Sequence, residues 1–439
     1  MPEKVRLAII GAGIGGLTLA VAFSNLHLED HFNIVIYEST AALKQVGAGI
    51  TVWPRAWEIL KSMGLESSLY ERLSPGHRDA VTRKIRRAFV FRKSDYEGGT
   101  LISDMHFPGG SVPYHRADVQ EALLEHISPS VQILTSHRLT SYRQTEDGVN
   151  LFFKNDKIAT CDLLIGADGI NSAVRKSLLA ELKNLSDEEA TRIARPVWTG
   201  THVYRDLIDS ETLRRDYPNH RALTLPMVYC GKNQHIVTYP ILQGRLINTI
   251  PFFTDLSKEG TYVEGPAIIE KTTDDFVSPF NDWEEEARVI VKYMKNPSRW
   301  AVQTVNPLDT YVSKRVMLMG DAAHAMATHL GNGAGQAIED AYILSNVVAE
   351  SIRQCGFVDI SKVGKIYDAI RQPFGNSIVR ATRNMGLLYE FSAPGFEDVK
   401  PGEVLSEERI AELRESIEKN WQWTHQSASG DLERALSMF

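Results

Sequence analysis

The sequence predicts an α/β fold: a Rossmann-like nucleotide-binding domain carrying an inserted β-sheet domain and ending in a C-terminal helical region. Three observations predict it. The strand Val5–Ile10 runs into the spacing Gly11-x-Gly13-x-x-Gly16 and then into a helix. Two short apolar runs far downstream, Cys161–Gly166 and Val316–Gly320, each end in a glycine and then an aspartate, Asp168 and Asp321. Residues of about 180–295 alternate like strands. The glycine spacing alone indicates a dinucleotide. Joined to two carboxylates at remote strand ends, it indicates one long cofactor held at three separated points, which is how a chain holds FAD.

The bulk properties narrow the class. At 439 residues the chain can bury a large core in two or three domains. Its formal charge of −7 argues against nucleic-acid binding and gives no attraction to an anionic membrane. The three scattered cysteines (Cys161, Cys230, Cys355) form no disulfide framework and no metal-ligand spacing, and suit a reducing compartment. Leu7–Phe23 could pass for a signal peptide, but its glycine spacing and the preceding Glu3 favour a buried strand-turn-helix. No other run is long enough to span a bilayer. A cytoplasmic protein, monomer or homodimer, is expected.

The first unit reads strand Val5–Ile10, helix Gly15–Leu26, strand Asn33–Tyr37, then Glu38, 22 residues after Gly16 and close to the roughly 20 that a ribose-binding acid requires. Gly11 permits the tight turn, Gly13 lets a pyrophosphate approach bare backbone, and Gly16 lets helix and sheet pack closely. The helix N-terminus offers free N–H groups to the phosphates, and Glu38 can accept from ribose hydroxyls.

From Arg83 to Phe107 aromatic alternation and Glu97-Gly98-Gly99 suggest hairpins. Six of the eleven residues Arg83–Lys93 are basic, which reads as the solvent face of a sheet. A helix follows around Asp118–His126, then strands near Val131–Leu134, Asn150–Lys154 and Leu163–Ile165. In the β-rich region the strands are Trp198–Leu207, Ala222–Tyr229, His235–Pro240 and Leu246–Phe253. Ala337, Ala341, Leu344 and Val348 share a helical face, and helices are predicted at Lys362–Arg371, Ile378–Tyr389 and Glu407–Asn420. Ser392–Pro401 is a loop. The expected domains are a discontinuous FAD-binding domain (1–80, 110–178, 296–375), a β-rich substrate domain (81–109, 179–295) and a helical region (376–439).

Five motifs occur in one order: Gly11–Gly16 with Glu38, Gly47-Ala48-Gly49-Ile50, His115-Arg116-Ala117-Asp118, Gly166-Ala167-Asp168-Gly169 and Gly320-Asp321-Ala322-Ala323-His324. In this the chain resembles the single-component FAD-dependent aromatic hydroxylases, in particular the fungal salicylate-hydroxylase-like branch, from Leu7 to about Trp423. The resemblance implies a glutathione-reductase-like topology. It also implies that Gly49 belongs to the cofactor site, that Arg116 reaches the flavin or its pyrophosphate, that Asp168 orients backbone around the pyrophosphate and ribityl chain, and that Asp321 bonds a ribityl hydroxyl. A helix N-cap is a compatible reading of Asp321. Gly331, Gly333 and Gly335, with Ala334 among them, leave a bare surface for a flat ring, running into a helix from Gln336 whose positive end would favour negative charge on the flavin.

Two departures stand out. The family usually has proline where this chain has Thr328, before His329, and commonly Pro-Asn where this chain has Pro54-Arg55. Trp421-Gln422-Trp423 superficially matches flavin halogenases, but Thr424-His425 follow it, and it reads as packing of a terminal helix.

For the substrate, strand alternation puts Thr201, Val203 and Arg205 on one face and His202 and Tyr204 on the other, and groups His235, Val237 and Tyr239. Arg205 can then hold a phenolate or carboxylate and Tyr239 the oxygen that becomes anionic. A rim charge and a core aromatic are the bland alternatives. His235 and His329 are reserve candidates for proton transfer.

The expected activity is FAD-dependent, NADH- or NADPH-consuming hydroxylation by O2 of a small phenolic ring of the salicylate or hydroxybenzoate kind, with or without loss of CO2. The resemblance implies that a flavin hydroperoxide delivers the oxygen. A dearomatising phenol hydroxylase is the alternative within this chemistry. A non-hydroxylating flavin oxidoreductase and a non-catalytic FAD-binding protein are the rivals. An NAD-dependent dehydrogenase leaves Asp168 and Asp321 unexplained.

Overall fold

A computed structural model describes residues 3–43, 49–73, 84–271 and 276–439. A six-stranded sheet runs in the order Val312–Ser313, Val316–Leu318, Leu163–Gly166, Val5–Ile10, Phe32–Tyr37 and Gln132–Leu134. Its strands are parallel except for the first pair. Leu7–Ile10 and Leu163–Gly166 are buried on both faces, as strands covered by helices on each side must be. Strand order reverses at Val5–Ile10, so a crevice opens at the C-terminal ends of this strand and its neighbours. Register pairs Ile10 with Gly166 and Gly166 with Leu318. The turns that follow, beginning at Gly11, Ala167 and Met319, therefore lie side by side although the chain between them spans some 300 residues.

An eight-stranded sheet runs Ile268–Glu270, Ser298–Thr304, Val197–Asp209, Leu246–Thr254, Gln234–Ile241, Met227–Gly231, Ile85–Lys93 and Thr100–Pro108. One face packs Ile236, Tyr229 and Phe253 against helix Glu285–Lys292 and its approaches. The other packs Val203, Phe252 and Val302 on Ala327, which lies in the loop leading to helix Gly333–Cys355. A two-stranded ribbon, Gly49–Val52 with Val112–His115, stands apart from both large sheets.

Several elements depart from the sequence reading. Residues 362–389 do not break at Pro373: one helix spans Ile360–Tyr389, so residue 376 lies inside it. Tertiary bonds hold it through the proline. Asp368 accepts from Tyr311 N (2.7 Å) and Thr310 Oγ1 (2.7 Å), and Gln372 and Asn376 both donate to Leu308 O (2.8 and 2.9 Å). The strand expected at Ala222–Tyr229 begins only at Met227, because Arg221–Leu223 forms a turn and Pro226 precedes the strand. Helices Pro54–Ser62, Glu66–Arg72, Ala173–Lys183, Asp187–Ala194 and Glu285–Lys292 were not foreseen. The basic run is not all solvent face. Arg87 pairs with Asp104 at the surface, whereas Arg92 turns to Glu284 and fully buried Lys93 to Asp95. Arg83, Gly47 and Ala48 lie outside the described residues. Trp421 packs edge-on against Trp53 at 4.8 Å, in keeping with a packing role.

Candidate active site

The crevice holds a cavity of about 360 Å³. Gly11, Gly13, Glu38, Arg116, Asp168, Asp321, Gly333 and Ala334 all line it. Gly11 has φ +107°, and a Cβ there would meet Ala167 O at 2.4 Å. Gly13 has open space where a Cβ would stand, a bare surface facing the groove. Gly16 lines no part of the groove; it lets helix Ile14–Asn25 approach Gly11 O, which a Cβ would meet at 2.0 Å. Glu38 ties the turn together, accepting from Ala12 N (3.0 Å) and Thr40 N (2.8 Å). Burial opposes its charge, but these bonds prevail and hold its pKa below the ordinary value.

The two distant aspartates do different work. Asp168 accepts from Ser172 Oγ (2.5 Å), Ala173 N (2.7 Å) and Val174 N (3.2 Å), and so helps the N-cap residue Ser172, whose Oγ accepts from Arg175 N (2.8 Å), to cap the helix Ala173–Lys183. Asp321 opens the turn Asp321–His324, whose cap is Gly320, so the N-cap reading of Asp321 does not hold. Its carboxylate is exposed in the groove, has no protein hydrogen-bond partner among the described residues, and lies near Gly333. Arg175, buried and missed in the sequence, joins the two turns: it donates to Ala322 O (3.0 Å) on one side and to Ile170 O on the other. Burial pushes its pKa down to about 10.

The glycine-rich segment folds earlier than expected. The helix starts at Gly333, not Gln336, and its N-cap, Asn332, makes no side-chain cap bond. Among the described residues no side chain caps the N–H groups of its first turn, at the end where Gly333 and Ala334 line the groove. Asp340 on this helix accepts from Gly320 N (2.7 Å) and lies 2.7 Å from His324 Nε2 and 2.6 Å from Arg371 Nε. Burial opposes its charge, yet His324 and Arg371 hold its pKa down at about 2. Thr328, at the proline position, is exposed, and its carbonyl closes a turn with Gly331 N (3.0 Å). The loop therefore turns without proline.

A second cavity of about 330 Å³ lies across the ribbon. Ile50 and Arg116 face the groove, whereas their neighbours Gly49 and His115, paired across the ribbon, face this cavity. Gly49 is therefore not a wall of the groove; a Cβ there would stand 3.2 Å from Tyr239 Oη. Arg205 lines the second cavity, half-buried, with its guanidinium 5.4 Å from the Trp300 ring centre and no carboxylate partner among the described residues. Burial raises the Tyr239 pKa, against the opposing pull of Arg205 and Asn248. Alternation holds as expected. Register carries Val203 to Phe252 and His235, and Asn248 to Tyr239, on the inner face. Tyr204 stacks outward on Phe276.

The FAD binding domain family profile matches residues 4–203 and 270–382. Salicylate hydroxylase of Pseudomonas putida is 30% identical over 99% of this chain and 95% of its own. The 6-methylsalicylate 1-monooxygenase atA of Aspergillus terreus is 31% identical over 89% of this chain and 84% of its own. The structure of a salicylate hydroxylase substrate complex superposes with a TM-score of 0.82 at 27% identity, covering 99% of this chain and 98% of that one. The chain belongs to the FAD-dependent aromatic monooxygenases. Its cofactor is FAD, and the groove fits it: a bare glycine surface, helix N–H groups without a side-chain cap, and, among the described residues, an unpaired carboxylate at Asp321 and a buried, unpartnered Nε of Arg116. The monooxygenase also lines this groove with His137, Arg138 and Asn171. No motif marks them, since they stand in loops brought in by the neighbouring strands.

Proposed function

We propose that this monooxygenase hydroxylates a small phenolic carboxylate of the salicylate or hydroxybenzoate kind, with NADH or NADPH as reductant. The observation that carries the reading is Arg205, a half-buried cation with no carboxylate partner among the described residues, near Tyr239 on the inner face of the sheet. A cation so placed favours an anionic substituent, and its stacking on Trp300 leaves its N–H groups for that anion. His235 and Tyr239 are four residues apart on one face, roughly 13 Å along the strand. A benzene ring with polar groups on opposite sides, plus a hydrogen bond at each end, spans on the order of 11 Å. Arg205 in the second cavity holds the anionic group; Tyr239, which lies against Gly49, and His235, which lines neither cavity, stand further along the same sheet face, where His235 takes the proton of a hydroxyl opposite that group.

Bound FAD, once reduced, supplies the oxygen activation. Gly11, Gly13, Glu38, Arg116, Asp168, Asp321, Gly333 and Ala334 hold it, and the inner sheet face excludes water from the ring. The relatives named for salicylate and 6-methylsalicylate support this substrate class. A discontinuous FAD-binding domain built on the six-stranded sheet and a substrate domain built on the eight-stranded one are proposed, with Ser298–Thr304 moved to the latter and no boundary at residue 376, which lies inside the helix Ile360–Tyr389. Action in the cytoplasm is proposed as well. No helix among the described residues is long and apolar enough to cross a membrane.

The test is to incubate the flavin-loaded protein with NADH or NADPH and a panel of hydroxybenzoates, methylsalicylates and resorcinols. The products are then weighed by mass spectrometry. A product heavier by one oxygen, or a catechol formed with release of CO2, is expected. Hydrogen peroxide in step with reductant and no oxygenated product would reject hydroxylation.

A further inference from the structure

A buried carboxylate outside both cavities stands against His235, which itself lines neither. Glu390 ends the helix Ile360–Tyr389 and is buried. Its Oε1 lies 2.8 Å from His235 Nδ1 and accepts from Thr254 Oγ1 at 3.0 Å. His235 is fully buried, stacked on Phe252 at 4.0 Å. Tyr389 and His329 flank it, each with ring centres 5.3 Å away. Among the described residues its Nε2 has no hydrogen-bond partner, and neither has Nδ1 of His329. Gly386, on the same helix as Glu390, makes room for the His329 ring, since a Cβ there would come within 2.5 Å of Nε2.

We propose that Glu390 is the positioning residue for His235, fixing its tautomer so that Nε2 can take the phenolic proton of the substrate. This rests on the reading of His235 given above. When Glu390 is ionised it accepts Nδ1–H, which leaves the Nε2 lone pair free. When Glu390 is protonated it donates to Nδ1, the ring proton sits on Nε2, and the base is lost. The transfer balances: the O–H bond of the phenol breaks as N–H forms at Nε2, Nδ1–H passes to Glu390, and one negative charge moves from carboxylate to phenolate. The ring stays neutral throughout.

That neutrality suits the surroundings. Burial pushes the pKa of His235 down to about 3, so an imidazolium is disfavoured. Burial pushes Glu390 up to about 7, against the pull of His329, Thr254 and Arg383. The other titratable neighbours are quiet at neutral pH: burial lowers His329 to about 3 and raises Cys230 and Tyr389 well above their ordinary values, while Arg383 pairs with Glu259.

The experiment uses the FAD-loaded protein and 4-hydroxybenzoate, whose hydroxyl stands opposite its carboxylate and whose phenolate absorbs at longer wavelength than the phenol. In the wild type the phenolate fraction of bound probe, and kcat/KM for a turned-over panel member, should rise together with a midpoint near pH 7. Glu390→Gln should abolish that rise and lower kcat/KM at pH 8 by roughly ten- to a hundredfold, with the Kd for FAD unchanged; Glu390→Asp should restore part of it. Thr254→Val removes a bond to the ionised form and should move the midpoint to higher pH, which keeps a test available if Glu390→Gln does not fold. An unchanged pH limb in Glu390→Gln, or in Thr254→Val where Glu390→Gln does not fold, overturns the proposal. Oxygenated product from the wild type without any pH-dependent phenolate signal overturns it too, while leaving the substrate reading intact. Absence of product from every panel member fails the substrate reading instead.

Discussion

At the scale of single residues, charge without a partner is the informative sign. Arg205 and Asp321 each leave an ionised group facing a cavity, whereas Glu38, Asp168 and Asp340 spend theirs on the protein's own N–H groups. The first pair is available to ligands and the second group shapes the space around them. Arg205→Ala is therefore expected to weaken substrate-stimulated NAD(P)H oxidation by about 1.5–3 kcal/mol, roughly ten- to a hundredfold in kcat/KM, with the protein still yellow. Loss of bound flavin in that variant would make Arg205 structural. The acid at Glu390 was within reach of the sequence, since a lone glutamate inside Met385–Phe391 has no apolar reason to be there. Its partner was not, because His235 stands 155 residues away.

At the scale of elements, what was missed has a local explanation. Ser186-Asp187-Glu188-Glu189 is a capping box, and in the fold Ser186 and Glu189 satisfy each other as such a box requires. That signal lay in the open, but the alternation of the neighbouring strands drew residue 180 onward into a β reading. The two helices expected at Lys362–Arg371 and Ile378–Tyr389 are one, since Leu308–Tyr311 clamps the helix across Pro373, which lies between them. The helix Ala173–Lys183 links both kinds of signal, since Asp168 helps to cap it and Arg175 within it ties the cap to the Asp321 turn. Asp168→Ala should cost about 1–2 kcal/mol of stability by the lost cap. It should also weaken FAD binding, measured by fluorescence titration of the apoprotein. A variant that loses stability but binds FAD as tightly would separate the cap from the cofactor site.

At the scale of the whole molecule, the C-terminal segment is tied into the cofactor domain by Arg55. This residue replaces the asparagine common at its position and is almost fully buried. It pairs with Glu339 (3.0 Å) and Asp431, and donates to Gln426 O (3.1 Å) and Ser427 O (3.2 Å). Glu339 in turn accepts from Gln336 (3.0 Å) and pairs with Arg371 (3.2 Å), so the network reaches the first turns of the helix whose end meets the groove. Asp431→Ala removes one partner of a buried charge and should cost on the order of 3 kcal/mol. Urea denaturation of the apoprotein measures this, and FAD affinity should fall with it. A midpoint matching the wild type would leave the C-terminal helix a mere appendage.

Local pattern determined the cofactor. Glycine spacing, strand-end acids and their order are short-range features, and each acts through backbone that only a few neighbouring residues shape. Alternation likewise determined which side chains share a sheet face, because the period of a strand is two whatever it packs against. Tertiary structure alone decided that Gly49 faces Tyr239 and not the groove, that Arg175 bridges two turns, and that Glu390 backs His235. These are contacts between elements remote in sequence. Parallel register and helix docking set them, and no local propensity encodes either.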